Sequence, residues 1–205
     1  MLSINIVIIA ITVLISFSAF NNEELQSKLF FSPFLVTKRG EWWRVPSHAF
    51  VHADYLHLFF NMYVLYNFGG YIEEFLEGQY GAVLGGLYYI GLYLGGVLFA
   101  SLPAFRKNSE NPMYRSVGAS GAVSAVLFAF ILLYPKVPLM LLFIPIPIPA
   151  FIFGALYLAF ESYSNKKGRT NIAHDAHIAG AIFGIVYLMA IDFHYAIDFI
   201  NKIMF

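Results

Sequence analysis

Six apolar stretches, each near the length that crosses a bilayer, leave this chain few folds to adopt. They fall at roughly 3–20, 56–76, 80–102, 117–134, 150–164 and 174–195, and a membrane-crossing helix needs about 20 mostly apolar residues. Of the 205 residues, 60% are hydrophobic and only 12% charged, against about 25% charged in a soluble domain. Mean hydropathy is +0.70. The expectation is an all-α, polytopic bundle of six transmembrane helices, forming a single domain over 1–205. Lys and Arg form no stripe, so nucleic acid is not an expected partner; the lipid bilayer is. Cysteine is absent, which excludes disulfides, thiolate metal sites and a cysteine nucleophile. The first stretch has no basic n-region and no convincing cleavage site, so it reads as a retained span.

Two connectors stand apart. Residues 21–55 hold Trp42, Trp43, Arg44 and Pro46, and tryptophan prefers the headgroup level, so this segment is expected to be membrane-associated. Pro145, Pro147 and Pro149 alternate with isoleucines. Proline at every second residue is incompatible with helix, so 135–149 is expected to be extended, with a short fifth span after it. The third span carries Gly81, Gly85, Gly86, Gly91, Gly95 and Gly96, and the sixth Gly180 and Gly184. Small residues four apart let helix backbones approach closely, so these read as packing positions.

Three polar motifs open the even-numbered spans: His57-x-x-x-Asn61, Gly118-Ala119-Ser120-Gly121 and His177-x-x-Gly180. Alternate spans of an up-down bundle start on one face, so the three converge there. Taken alone, a G-x-S-G in an apolar helix is a packing motif in roughly nine cases of ten. A lone intramembrane histidine is satisfied by a neighbouring carbonyl about as often as it is functional. Together they describe a hydrolytic site. Ser120 stands in a first helical turn, where free N–H groups and the helix dipole favour negative charge. The flanking Gly118 and Gly121 leave room for a substrate. Histidine is the usual base for a serine nucleophile, and His177 stands at a matching depth. His57 and Asn61 share a helix face. Their bland role is interhelical hydrogen bonding; their catalytic one is donation to an oxyanion, for which the amide of Asn61 suits better because it donates at any pH.

Asp175, two residues before His177, points to the other side of its helix, and Asp192 and Asp198 lie toward the far end. The economical site is therefore a Ser120–His177 dyad with the histidine oriented by packing. His48, His52, His57, His174 and His177 raise a metal centre as an alternative, but no HExxH is present. The expectation is no metal and no cofactor, with His48 and His52 structural or lining the site mouth, and water arriving past them and His174.

These residues together resemble the rhomboid family of intramembrane serine proteases. The likeness runs from Trp43-Arg44 through His48, His52, His57 and Asn61 to Gly118-Ala119-Ser120-Gly121 and Ala176-His177-x-x-Gly180. It covers about residues 40–185, the family's six-helix core. It implies Ser120 as nucleophile, His177 as general base, and an oxyanion hole from the Ser120 backbone N–H with His57 and Asn61. It implies single-span membrane proteins as substrates and an integral, cell-membrane location, and it leaves the oligomeric state open. The segment with Trp43 and Arg44 resembles the family's first loop, which lies sideways in the membrane. Ser164 to Ala173 matches the position of a cap over the site, flanked by a movable fifth helix. Nothing after the sixth span suggests a seventh.

In the family's basic form both termini are cytoplasmic and the site opens outward, and that orientation is expected here. The cations favour the reverse by the positive-inside rule. Ten of them flank the site side, from Lys28, Lys38, Arg39 and Arg44 through Arg106, Lys107 and Arg115 to Lys166, Lys167 and Arg169; only Lys136 and Lys202 lie opposite. The alternatives to a protease are a noncatalytic rhomboid-like protein that binds membrane segments for quality control, and a small channel or metal transporter using the histidines.

Overall fold

Alternation of apolar stretches with short polar breaks gives a bundle of helices joined by tight turns. The structure, a computed structural model, describes residues 2–141, 144–167 and 173–205. Helix α1 (Ile4–Phe20) leads into three short helices, α2 (Glu23–Leu29), α3 (Pro33–Arg39) and α4 (Arg44–Ser47), and a 3-10 turn (His48–Phe50). Helices α5 (Tyr55–Val64) and α6 (Gly70–Tyr80) are joined through a π-helical turn, Leu65–Gly69. Next come α7 (Ala82–Asn108), α8 (Ser120–Leu133), a hairpin of β1 (Pro138–Leu141) and β2 (Ile144–Pro149), α9 (Ala150–Lys167), α10 (His174–Ile191) and α11 (His194–Met204).

The core is helix α8. Its residues from Gly121 to Leu133 are all buried, as expected of a helix that is apolar on every side. Around it pack α10, α7 and the π-helical turn. Two close approaches set the spacing. A β-carbon at Gly180 on α10 would lie 2.0 Å from the Gly121 carbonyl oxygen on α8, and one at Gly184 would lie 2.1 Å from that of Ala125. On the other flank, Gly96 of α7 faces Ala125 and Ala122 at 2.9–3.0 Å by the same measure. Small residues in register therefore let three backbones meet.

The start of α1 is tied to α6 by a buried carboxylate. Glu73 accepts from the Ser3 hydroxyl at 2.6 Å, from the Asn5 N–H at 3.0 Å and from the Ile4 N–H. These are donors that the first helical turn leaves unpaired, and the helix dipole favours the negative charge there. The Asn5 amide in turn donates to the Leu65 carbonyl in the π-helical turn at 3.1 Å, while the Tyr89 hydroxyl donates to Asn5 Oδ1 at 2.7 Å.

Two elements depart from the sequence-based expectation. The proline-alternating connector is extended, and it also pairs as an antiparallel hairpin, with Pro138 opposite Pro149 and Leu139 opposite Ile148. After the sixth apolar helix the chain forms α11, whose 11 residues are too few to cross a bilayer. Among the described residues, two helices, Ala82–Asn108 and His174–Ile191, are long and apolar enough to cross; Ile4–Phe20 and Ser120–Leu133 are apolar but shorter. Of the segment expected to form a cap, 168–172 lies outside the described residues.

Candidate active site

Ser120 is the first residue of α8, and Gly118 ahead of it adopts φ +112°. That backbone conformation is open to glycine and strained for other residues, and it turns the chain sharply into the helix. The turn is held from behind by the 21–55 segment. The Gly118 N–H donates to the His48 carbonyl at 2.9 Å, and Ser116 bridges to Phe31 in both directions at 2.8 and 3.0 Å.

The Ala119 N–H meets His52 Nε2 at 3.4 Å. Because Nε2 must then accept, His52 carries its proton on Nδ1, 2.9 Å from the Ser16 hydroxyl, which passes its own hydrogen to the Phe50 carbonyl at 2.9 Å. His48 Nδ1 bonds the Val45 carbonyl at 2.8 Å. Both rings are buried, and burial pushes the pKa of His48 down to about 4 and that of His52 to about 3. They are neutral clamps on the serine turn. The expected water route past His48, His52 and His174 is corrected on this point, since all three are buried.

Trp43 and Arg44 also act at a distance from the serine. The Arg44 guanidinium is buried, bonds Glu41 at 2.6 Å and donates to the carbonyls of Ser27, Lys28 and Phe30 at 2.8–3.0 Å. These carbonyls close α2, where a cation is favoured. Trp43 Nε1 donates to the Lys28 carbonyl at 3.2 Å with its ring more than half exposed.

The packing of Gly180 onto Gly121 fixes the rest. His177 stands three residues before Gly180, almost a turn earlier on α10, and Ser120 directly precedes Gly121, so the two side chains meet. His177 Nε2 lies 2.8 Å from Ser120 Oγ. His177 Nδ1 lies 3.1 Å from Oε1 of Glu161 on α9, whose Oε2 bonds His174 Nδ1 at 2.6 Å. A carboxylate only accepts, so Nδ1 of His177 carries the proton and Nε2 is free to take the serine hydrogen. Tyr157, one turn before Glu161, stacks on the His177 ring at 6.5 Å between centroids and shares a 2.9 Å hydrogen bond with Ser124.

This arrangement corrects the expected dyad. A carboxylate orients His177, and it comes from α9 rather than from α10. Asp175 is occupied elsewhere, in an ion pair with Lys107 at 2.6 Å. The signal for Glu161 was present in the sequence: it is the one charged residue in the fifth apolar stretch, and an ionisable residue there is a functional candidate by default.

The His57 ring lies over the serine turn, where a β-carbon on Gly118 would come 2.5 Å from its Cε1. Asn61, one turn on and buried, donates one amide hydrogen to the His57 carbonyl at 2.8 Å, which leaves its second hydrogen for another acceptor.

Residues 39–192 match the family described as the rhomboid domain. The chain belongs to the rhomboid family. As a rhomboid it is an integral membrane protein. It is 34% identical over 154 residues to "RHOMBOID-like protein 12, mitochondrial" of Arabidopsis thaliana, covering 70% of this chain and 45% of that one. It is 28% identical over 168 residues to "Presenilin-associated rhomboid-like protein, mitochondrial" of Mus musculus, covering 79% and 38%. To "Rhomboid protein 1, mitochondrial" of Saccharomyces cerevisiae it is 27% identical over 145 residues, covering 68% and 39%. This rhomboid thus spans less than half the length of the curated relatives it matches.

Proposed function

We propose that this rhomboid is a six-span intramembrane serine protease that cuts peptide bonds in or next to the membrane segments of single-span proteins. The observation that carries the reading is the 2.8 Å contact between His177 Nε2 and Ser120 Oγ, within the reach a general base needs. Ser120 Oγ attacks the scissile carbonyl while His177 Nε2 takes its proton. Glu161, accepting from Nδ1, holds the tautomer and stabilises the imidazolium that forms. The tetrahedral oxyanion falls at the first turn of α8, where the Ser120 N–H donates to it, joined by His57 and Asn61. His177 then returns the proton to the leaving amine, and water repeats the sequence on the acyl enzyme. An apolar groove of about 880 Å³, lined by Phe60, Tyr63, Tyr71, Phe130, Tyr134 and Phe153, supports an apolar substrate segment beside α5 and α8.

The curated relatives are named as mitochondrial, which sets a mitochondrial membrane against the cell membrane expected from sequence; fractionation of the source cells separates the two. The activity is tested by fluorophosphonate labelling of the detergent-solubilised chain. Labelling of the wild type, lost in helical Ser120→Ala and His177→Ala variants, is the expected result. Equal labelling in all three folded proteins would sink the protease reading and favour a noncatalytic binder of membrane segments.

A further inference from the structure

The carboxylate that orients His177 also joins two imidazoles into a set of metal ligands. Glu161, His174 and His177 each present a ligand atom, and these atoms lie within 4.8 Å of one another. The carboxylate already meets each imidazole through a separate oxygen, Oε2 with His174 Nδ1 at 2.6 Å and Oε1 with His177 Nδ1 at 3.1 Å. A tetrahedral ion with bonds of about 2.0–2.1 Å spaces its ligands by roughly 3.4 Å, so small side-chain shifts accommodate one. Two imidazoles and a carboxylate with a fourth position for water is a donor set that zinc takes, and nitrogen-rich sets of this kind select zinc-like ions over magnesium or calcium. His174 and His177 come from the first turn of α10 and Glu161 from the penultimate turn of α9, so rigid helices hold all three.

We propose that Glu161, His174 and His177 form a binding site for a zinc-type divalent ion, and that occupancy switches the serine off. The inhibitory half rests on the protease reading; the binding half does not. His177 meets the ion through Nδ1, the atom that now faces Glu161. Coordination there needs the Nδ1 lone pair, so the imidazole, neutral throughout, moves its one proton from Nδ1 to Nε2. Nε2 then donates to Ser120 Oγ instead of accepting from it, and no base remains for the hydroxyl hydrogen. Glu161 gives its negative charge to the ion in place of the imidazolium. Ser120 itself is not a ligand, which separates binding from catalysis.

The test uses the full chain, purified in detergent without a polyhistidine tag. Cobalt(II) serves as the optical probe, with zinc as competitor. One equivalent is expected to give the intense visible band of a four- or five-coordinate site in the wild type and equally in Ser120→Ala. Helical Glu161→Gln and His174→Gln variants are expected to bind at least tenfold more weakly. For zinc-loaded wild type alone, X-ray absorption is expected to show two imidazoles, so the site is tested even where a variant does not fold. Fluorophosphonate labelling of the wild type is expected to fall at least tenfold at saturating zinc and to recover with EDTA. Absence of stoichiometric binding, binding unchanged in both variants, or fewer than two imidazoles overturns the proposal while wild-type labelling stands. Binding as described with no labelling of any metal-free protein supports the site and removes the protease reading beneath its inhibitory half. Labelling indifferent to bound zinc overturns the inhibition.

Discussion

Gly180 of α10 rests on the carbonyl oxygen of Gly121 on α8, with no space for a side chain between them: a β-carbon at 180 would stand 2.0 Å from that oxygen. The contact is what places His177 beside Ser120. Gly180→Ala is expected to push the helices apart, costing about 1–3 kcal/mol of stability. A displacement of about 1 Å at the reacting groups is expected to lower activity roughly 100-fold. Melting temperature and labelling rate of the same preparation check it. An alanine variant with wild-type labelling rate would show that the approach is not needed for the site.

Glu161→Gln keeps the size of the side chain but not the charge that steadies an imidazolium. It is expected to lower kcat on the order of 100-fold with little change in KM, because the stabilised charge exists only beyond the ground state. A rise in KM alone would make Glu161 a structural residue. Glu161→Asp, retaining the charge, is expected to recover part of the rate.

Asn61→Ala removes an amide that has one hydrogen on the His57 carbonyl and another to offer. Loss of one oxyanion donor costs about 2.7–4 kcal/mol where measured, or roughly 100- to 1,000-fold in kcat. Steady-state kinetics on a membrane-segment substrate should show that loss in kcat, and an unchanged kcat would remove Asn61 from the role.

The buried clamps behind the serine turn set a pH dependence of stability. Burial holds His48 near 4 and His52 near 3, both below the ordinary 6.5. Between those values the unfolded segment binds more protons than the folded one, so stability rises with pH there. The stabilisation is complete above about 6.5 and is lost as pH falls toward 4 and then 3. Thermal melts at pH 7.5, 5.5 and 4.5 should decline in that order, with a shallower slope in His52→Gln. A flat profile would contradict buried, neutral histidines.

Orientation can be read directly because the chain has no cysteine. Met113, exposed on the connector leading to the serine turn, is the place for a single reporter, with Phe205 as its opposite. In a host that carries the chain in its cell membrane, the family likeness predicts that Met113→Cys reacts with an impermeant thiol reagent on intact cells and Phe205→Cys only after permeabilisation. The reverse pattern would mean that the ten cations on the site side, not the family's topology, govern insertion.

Much of the site was legible in sequence because its pieces are local: a glycine-framed serine at a helix start, and a histidine three residues from a glycine. The apolar stretches came out helical for the same reason, since length and composition are local properties, but the second is two helices about the π-helical turn, and among the described residues only two helices have the length and hydropathy to cross. Glu161 was harder. Its partners are 13 and 16 residues away on another helix, and no spacing within one helix links a histidine to an acid on the next. His48 and His52 left two roles open in sequence, structural or lining the site mouth, because the backbone groups they meet belong to a turn 70 and 67 residues further on. The π-helical turn leaves no sequence mark of its own. It shows only where Asn5 finds the Leu65 carbonyl to bond.

The hairpin before α9 ends with Ala150 donating its N–H to Val137 at 3.0 Å. Antiparallel pairing alternates inward and outward residues, so Ile148 and Ala150 face the partner strand and position 149 faces away; beyond the register shift between Leu139 and Leu141, Ile144 is paired again, with positions 145 and 147 between. Positions 145, 147 and 149 are all proline and have no hydrogen to present. The ribbon therefore carries an outer border stripped of donors at these positions. Such a border offers little for a further strand to zip onto, and it leaves no N–H there to be stranded beside hydrocarbon.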